Sequence, residues 1–192
     1  SAPWLEPWYA VRNPKAEVDA SLSAMQLRPG EDRIGFRLPD LDSQIVSLSD
    51  TRFRDKAVVI QIMGSWCPNC MDETAFLSEY YRNNKHRGLE MIALAYEYST
   101  DFTRASKSLK KFQKKFNVEY PMLITGVTSA DSLKTEKTLP QLTPIKAFPT
   151  TIFIGKDGKV KKIHGGFVGP RTGKRHDAFK DAFSRTLENL LK

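Results

Sequence analysis

The chain has 192 residues, 40% of them hydrophobic, and a formal net charge of +8. This length is enough for one domain with additions, whose central sheet is covered on both faces without stapling disulfides. No apolar stretch approaches the roughly 18 residues of a membrane-spanning helix, which excludes a bundle of such helices. The chain begins at Ser1 without a methionine, which leaves room for an export signal, a lipid or membrane anchor, or a further domain ahead of it.

The positive charge is concentrated in one segment. Basic and apolar residues alternate over residues 101–117, which predicts an amphipathic helix with a basic outer face. We interpret this face as solvated and keep a docking surface for an acidic partner or for anionic lipid headgroups as the alternative. We expect no nucleic-acid partner. The basic residues are Arg104, Lys107, Lys110, Lys111, Lys114 and Lys115.

The first 33 residues differ from the rest and are interpreted as an N-terminal arm or linker. Tryptophan, tyrosine and proline alternate near the start of the chain. Asn13-Pro14 is typical of a helix start, and Arg28-Pro29-Gly30 is typical of a helix end. The helix predicted between them carries Val18, Leu22 and Met25 on one stripe.

Residues 34–192 are predicted to form one α/β domain. A hairpin around residues 40–43 is followed by a strand at 57–63, a helix at 68–84, a strand at 89–96 and the basic helix at 101–117. This β-α-β-α order predicts that the two strands are parallel.

The second half of the domain combines an insertion with a hairpin. Residues 125–143 are polar with weak periodicity and are interpreted as the insertion. Asp157-Gly158 between two β-branched runs predicts a hairpin of strands 150–154 and 160–163. A last helix at 176–191 is expected to bury Phe179, Phe183, Leu187 and Leu190.

The chain contains two cysteines, and they are separated by only two residues in Cys67-Pro68-Asn69-Cys70. A strand leads into this pair and a helix follows, so both sulfurs fall on the first helical turn, as in a thioredoxin-type site. Unpaired N–H groups at a helix start lower a thiol pKa from about 8.5 toward 7. Cys67 is therefore predicted to be the nucleophile and Cys70 the resolving thiol. Pro68 suits the first turn because it has no N–H.

Two other uses of the cysteines are weaker. A purely stabilising disulfide across so short a loop would remove little chain entropy. A zinc site would need two further ligands from His86, His164, His176 or carboxylates, none of which has paired metal spacing. We predict neither a metal nor a cofactor.

Phe148-Pro149-Thr150 precedes a β-branched run, where a proline must open the strand or form a tight turn. Together with Trp66-Cys67-Pro68-Asn69-Cys70 and the Asp157-Gly158 hairpin, it resembles the thioredoxin superfamily over residues 34–192. The resemblance implies a central mixed β-sheet flanked by helices, with an N-terminal hairpin and an insertion before the proline strand. It also implies that Pro149 is cis and lies against the dithiol, beside a strand edge that pairs with substrate.

Within the superfamily, the chain resembles the TlpA/ResA-like branch. Glu73 completes a Cys-x-x-Cys-x-x-Glu pattern, in which the glutamate of that branch modulates thiol acidity and proton transfer. An ordinary acid near a helix start is the other interpretation of Glu73, and both stay open. Thioredoxin itself has a buried aspartate six residues before its first cysteine, whereas this chain has Gln61.

The resemblance implies a protein-disulfide reductase that works outside the cytoplasm, with disulfide-containing clients and an upstream thiol-disulfide electron donor. The catalytic residues would be Cys67, Cys70, Glu73 and Pro149, and the residues that bind substrate would be Trp66, Pro68, Phe148 and Thr150.

Two other functions are weighed against this one. A peroxiredoxin-like (AhpC/TSA) antioxidant would carry Pro-x-x-x-Thr-x-x-Cys, but Ile60 and Gly64 stand at the proline and threonine positions. A Sco-type copper-binding protein would need Cys-x-x-x-Cys and a histidine near the site edge. His164 is expected to be a surface residue.

Overall fold

The computed structural model describes residues 25–192. The helix predicted in the N-terminal arm lies outside the described residues except for Met25, which is buried. Residues 25–28 contact the main body of the domain, because Leu27 forms a β-bridge with Leu142 and the Arg28 N–H donates to the Gln141 carbonyl. The domain boundary at residue 33 stays a prediction.

A mixed five-stranded sheet forms the centre of the domain. The strands in the described residues are β1 (Arg37–Pro39), β2 (Ile45–Ser47), β3 (Ala57–Met63), β4 (Leu89–Ala95), β5 (Met122–Ile124), β6 (Thr150–Ile154) and β7 (Val160–Gly165). The sheet order is β5-β4-β3-β6-β7, and β1 pairs with β2 as the predicted hairpin. β3, β4 and β5 are mutually parallel, while β6 is antiparallel to both β3 and β7.

The α-helices within residues 25–192 are α1 (Pro68–Asn84), α2 (Phe102–Phe116), α3 (Lys134–Thr138) and α4 (Lys174–Leu191). α1, α2 and α4 agree closely with the predicted helices, whereas α3 was not predicted. α4 starts two residues before the predicted position and buries Phe183, Leu187 and Leu190, whereas Phe179 is only partly buried. The predicted α/β architecture with a central mixed sheet is confirmed.

The central strand β3 divides the core into two layers. All seven of its residues are buried, and successive side chains point to opposite faces of the sheet. Val59 and Met63 pack in the layer that also contains the buried faces of α1, α2 and α4. Val58, Ile60 and Ile62 pack in the other layer, beneath the β1–β2 hairpin and the segment around α3. Apolar burial on both faces therefore holds the carboxyl end of β3 in place.

The segment interpreted as a polar insertion is more closely integrated than its composition indicates. It contains α3, and Leu139 and Leu142 are fully buried in the core. Two of its threonines are also buried: the Ile145 N–H donates to Thr135 Oγ1, and the Thr138 hydroxyl lies 2.6 Å from the Tyr96 hydroxyl. Hydrogen bonding permits this burial of polar side chains, which a hydrophobic pattern does not reveal.

We predict that Leu109→Ala lowers the free energy of unfolding by about 3 kcal/mol, because it leaves a cavity where α2 packs on the sheet. Leu109 is fully buried. Urea denaturation followed by circular dichroism measures the change. Lys107→Ala, at an exposed position of the same helix, serves as the control. A loss below about 1 kcal/mol for Leu109→Ala would contradict the packing described here.

Candidate active site

The turn between β3 and α1 brings the two cysteines together. Cys67 is the residue that caps α1, and its sulfur accepts a hydrogen bond from the Cys70 N–H at 3.3 Å. Pro68 occupies the first helical position, where no N–H is required. Both thiols are free; Cys67 is 5% exposed and Cys70 is fully buried. The helix N-terminus therefore directs a backbone N–H group at the Cys67 sulfur.

The second sulfur has a different environment. Burial is the main cause that raises the pKa of the Cys70 thiol, and its hydrogen bond with Cys67 and the charge of Glu73 act in the same direction. Cys70 therefore keeps its proton at neutral pH unless a base removes it.

The loop before β6 lies against Cys67. The Phe148–Pro149 peptide bond is cis, as the resemblance implies. The Cys67 thiol donates to the Phe148 carbonyl at 3.6 Å, which places this loop beside the dithiol. Pro149 is buried and Phe148 is partly buried. Thr150 is also buried, and its hydroxyl donates to the Ala147 carbonyl, so its side chain is not free to meet a substrate.

Glu73 is fully buried, one helical turn beyond Cys70. Its two carboxylate oxygens accept hydrogen bonds from the Thr151 hydroxyl at 2.7 Å and from Gln61 Nε2 at 2.8 Å. Burial raises its pKa to about 7, although both hydrogen bonds act to lower it. The carboxyl group is therefore placed to gain or lose a proton near neutral pH.

Gln61 connects this carboxylate to the dithiol. Besides Glu73, its Nε2 group reaches the Cys70 carbonyl at 3.5 Å, and its Oε1 atom accepts from the Thr74 hydroxyl at 3.0 Å. A neutral amide therefore stands at the position where thioredoxin has its buried acid, and the buried acid beneath the dithiol, Glu73, comes from α1 instead.

Aromatic side chains form a wall beside Cys67, which we call the aromatic wall: Trp66, Tyr98 and Phe148. The Trp66 indole N–H donates to the Tyr96 carbonyl at 2.9 Å, and its ring stacks on Tyr98 with centroids 4.8 Å apart. Phe148 meets Trp66 edge-on at 5.5 Å. Tyr98 is 70% exposed, so the wall faces solvent.

Gly64 permits the position of the indole. A Cβ atom at Gly64 would collide with Nε1 of the Trp66 indole, because it would come far closer than nonbonded atoms approach. A glycine is therefore required here by a close side-chain contact.

The residues that follow β4 were not predicted to belong to the site. Glu97 is 8% exposed and accepts hydrogen bonds from the Ser65 N–H at 2.8 Å and the Ser65 hydroxyl at 2.7 Å. It therefore ties the β4 end to the turn that carries Cys67. The position of these residues in the sequence was the signal that could have found them. They directly follow β4, which is parallel to β3, so they lie at the same edge of the sheet as the turn that follows β3.

The histidines and carboxylates are not gathered into a metal site. Among residues 25–192, no group of three or more His, Cys, Asp or Glu side chains is placed to hold a metal ion. His164, which was expected at the surface, is only partly exposed and lies with its ring 5.0 Å from that of Phe179.

A family model described as AhpC/TSA matches residues 29–163, which include the hairpin, the dithiol turn and the cis-proline loop. The chain belongs to the AhpC/TSA family. Curated relatives of this family member include the thiol-disulfide oxidoreductase ResA of Bacillus thuringiensis subsp. konkukian, which is 30% identical over 131 residues, 68% of this chain. That match spans 66% of the relative, slightly less than two thirds of its length. ResA of Bacillus subtilis is 26% identical over 137 residues, covering 71% of this chain and 67% of that protein.

Solved structures show the same fold. A candidate thiol:disulfide interchange protein DsbE from Chlorobium tepidum matches with a TM-score of 0.63 at 20% identity, covering 87% of this chain and 100% of that one. A secreted Mycobacterium tuberculosis disulfide oxidoreductase homologous to Escherichia coli DsbE matches with a TM-score of 0.58 at 17% identity, covering 81% and 96%. The predicted thioredoxin-like fold and the resemblance to ResA are thus confirmed.

We predict that Gly64→Ala displaces the Trp66 indole and breaks its hydrogen bond to Tyr96, since the added methyl group occupies the space of Nε1. The Trp66 indole N–H signal in a proton–nitrogen correlation spectrum, assigned with Trp66→Phe, should shift and exchange faster with solvent. Gly35→Ala, where an added Cβ meets nothing within 4 Å, should leave this signal unchanged. An unaltered signal in Gly64→Ala would mean that the indole is not held as described.

We predict that Glu73→Gln stabilises the protein at alkaline pH. The native pKa of Glu73 is about 7, against an ordinary value of 4.5. Between these values the native state binds more protons than the unfolded state, so this residue's contribution is fully present below pH 4.5 and is lost as the pH rises through 7. The stability difference between the variant and the natural protein should therefore grow by about 3 kcal/mol across this window.

Urea denaturation from pH 4 to pH 8 measures this difference. Glu79→Gln is the matched control, because Glu79 is an exposed glutamate on the same helix. Parallel stability profiles for Glu73→Gln and the natural protein would contradict a buried carboxyl group that titrates near neutrality.

Proposed function

We propose that this protein is a thiol-disulfide oxidoreductase that exchanges its Cys67–Cys70 dithiol with disulfides in partner proteins. The observation that carries the proposal is the setting of Cys67: it caps α1, receives the Cys70 N–H on its sulfur and lies against the Phe148 carbonyl of the cis-proline loop. The names of the ResA relatives support the same activity. Exchange needs both the start of α1 and the cis-proline loop. The start of α1 activates the Cys67 sulfur, and the loop forms the surface that an extended partner can approach.

The exchange proceeds in two displacements. The Cys67 thiolate attacks one sulfur of the client disulfide, a mixed disulfide forms, and the other client sulfur leaves as a thiolate. Cys70 then loses its proton and attacks the Cys67 sulfur, which releases the second client thiolate and closes the Cys67–Cys70 disulfide. Two electrons pass to the client, and its two thiolates take up the two protons that the dithiol has lost. An upstream thiol-disulfide donor restores the dithiol.

Glu73 is proposed as the base for the second displacement. Cys70 is buried and holds its proton, and Glu73 lies one turn away with a pKa of about 7. A carboxylate with this pKa accepts a proton near neutral pH and can return it to solvent afterwards. Gln61 and Thr151 fix the carboxylate in one orientation through their two hydrogen bonds.

Clients are proposed to contact the surface around Cys67. Pro68 is exposed, and Trp66 and Phe148 are partly exposed, so all three can meet a partner directly. Thr150 differs, because its buried side chain leaves it only a supporting role beneath Pro149.

The relatives also support a proposal for the direction and place of action. We propose that the protein acts as a reductant of the TlpA/ResA-like branch outside the cytoplasm, in the periplasm or at a membrane surface. The secreted Mycobacterium tuberculosis relative supports an extracytoplasmic site. Within residues 25–192, no helix is sufficiently long and apolar to traverse a bilayer.

We predict opposite outcomes for the two cysteine variants. Cys67→Ser should abolish the protein's acceleration of insulin reduction by dithiothreitol, because the attacking sulfur is lost. Reduced Cys70→Ser, mixed with insulin after dithiothreitol has been removed, should accumulate a mixed disulfide, because attack continues while resolution is blocked. Turbidity measures reduction, and non-reducing electrophoresis with mass spectrometry measures the adduct. Ser65→Ala, which retains both sulfurs, is the control that should accumulate no adduct.

One result would contradict the assignment of Cys67 as the attacking thiol and Cys70 as the resolving thiol. An adduct that accumulates in Cys67→Ser and is absent from Cys70→Ser would reverse the two roles. Normal insulin reduction by both variants would overturn the proposed function itself.

A further inference from the structure

Helix α2 carries a row of positive charges on its outer face. Arg104, Lys107, Lys111 and Lys114 are spaced three, four and three residues apart, so they lie within one stripe along the helix. All four are exposed, and the opposite face buries Ala105, Leu109 and Phe112. We call these four residues the basic stripe.

The basic stripe is not neutralised by the rest of the described chain. Within residues 25–192, none of its four side chains forms an ion pair or a hydrogen bond. The neighbouring Lys110 is different, because it pairs with Asp42 at 2.7 Å. Lys115 lies over the Phe116 ring. As far as residues 25–192 are concerned, the four cations of the stripe are unpaired, although self-repulsion between them is unfavourable.

The stripe starts beside the dithiol. α2 follows β4, which is parallel to β3, so the N-terminus of α2 and the N-terminus of α1 lie at the same sheet edge. Arg104 lines a groove together with Trp66 and Tyr98 of the aromatic wall. Lys107, Lys111 and Lys114 line a second groove farther along the helix.

The acids near the stripe are already engaged. Glu97, in the first groove, accepts both hydrogen bonds from Ser65. Asp101 caps α2 by accepting the Arg104 N–H, and Asp42, in the second groove, pairs with Lys110. Within the described part of the chain, these acids therefore form no ion pair with the stripe, and its guanidinium and ammonium groups can meet an external anion.

We propose that the basic stripe docks acidic segments of partner proteins and so directs their disulfides to Cys67. This inference rests on the proposed function and specifies its partner class. The positive charge of the stripe favours an acidic occupant. Arg104 shares a groove with Trp66 and Tyr98 beside the dithiol, which favours a protein that brings its disulfide there. A membrane lying on the stripe would extend over the groove beside Trp66 and obstruct the approach of a client to Cys67.

Long-range attraction acts mainly on the rate of encounter. A charged patch beside a reactive group raises the association rate of oppositely charged partners by about tenfold or more at low salt, and screening removes this gain. The preference for acidic partners should therefore fall as ionic strength rises.

The experiment uses three peptide dimers, each joined by one disulfide and flanked by glutamate, glutamine or lysine residues. The reduced full chain is mixed with each dimer, and the released peptide thiol is followed to give a second-order rate constant. We expect the acidic dimer to react about tenfold faster than the neutral dimer at low salt, the basic dimer to react slowest, and the rates to converge at high salt.

Two double variants test whether the stripe is responsible. Lys107→Gln/Lys111→Gln should reduce the acidic-to-neutral rate ratio by about threefold or more. The matched control Arg54→Gln/Lys162→Gln also removes two positive charges, but near the opposite edge of the sheet, since Arg54 precedes β3 and Lys162 faces Phe153. It should leave the ratio close to that of the natural protein.

Each outcome decides one proposal. If no dimer is reduced, the proposed function fails. If all three dimers are reduced at equal rates, or if both double variants lower the ratio alike, only the docking proposal is overturned. Sedimentation with phosphatidylcholine vesicles, with and without phosphatidylglycerol, tests the membrane alternative. Binding to the anionic vesicles that requires Lys107 and Lys111, together with equal peptide rates, would assign the stripe to lipid instead.

Discussion

The site depends on one turn of backbone at the carboxyl end of β3. That strand is buried on both faces, so its end has little freedom, and Cys67 must cap the helix that follows. The same turn supplies the N–H group that reaches the Cys67 sulfur and places Cys70 one turn deeper, out of contact with water. Two chemically identical thiols thereby acquire different environments, because one lies at a helix N-terminus and the other lies in the core, and we propose different roles for them on that ground.

A second constraint comes from the carboxyl group buried beneath this turn. An ionised Glu73 in the core is unfavourable, and its hydrogen bonds with Gln61 and Thr151 offset only part of that cost, which is why its pKa is raised to about 7. We propose that this buried carboxyl group, with its pKa of about 7, accepts the proton that must leave Cys70 during resolution.

Local pattern was enough for most of the fold, because β3 is a continuous apolar run, α2 carries strong helical periodicity, and α1 has a clear start at Cys67-Pro68. The dithiol was also visible, since its spacing and its place between strand and helix are local features. The state of Glu73 was not, because the residues that bury it come from α1, β3 and β6. Tyr98 was missed for the same reason: its stacking on Trp66 joins two loops that are distant in sequence. In the segment around α3, buried threonines concealed a core contact.

Membership of the AhpC/TSA family does not decide whether Cys67 and Cys70 form a reversible redox pair, and a single measurement can. The protein is equilibrated with glutathione buffers of graded redox potential, and the remaining thiols are alkylated and counted by mass spectrometry. If Cys67 and Cys70 form a reversible redox pair, both thiols are lost together in one two-electron transition and are regained on reduction. Loss of one thiol at a time, as a glutathione adduct or an oxidised Cys67 beside a free Cys70, would contradict a dithiol exchange site.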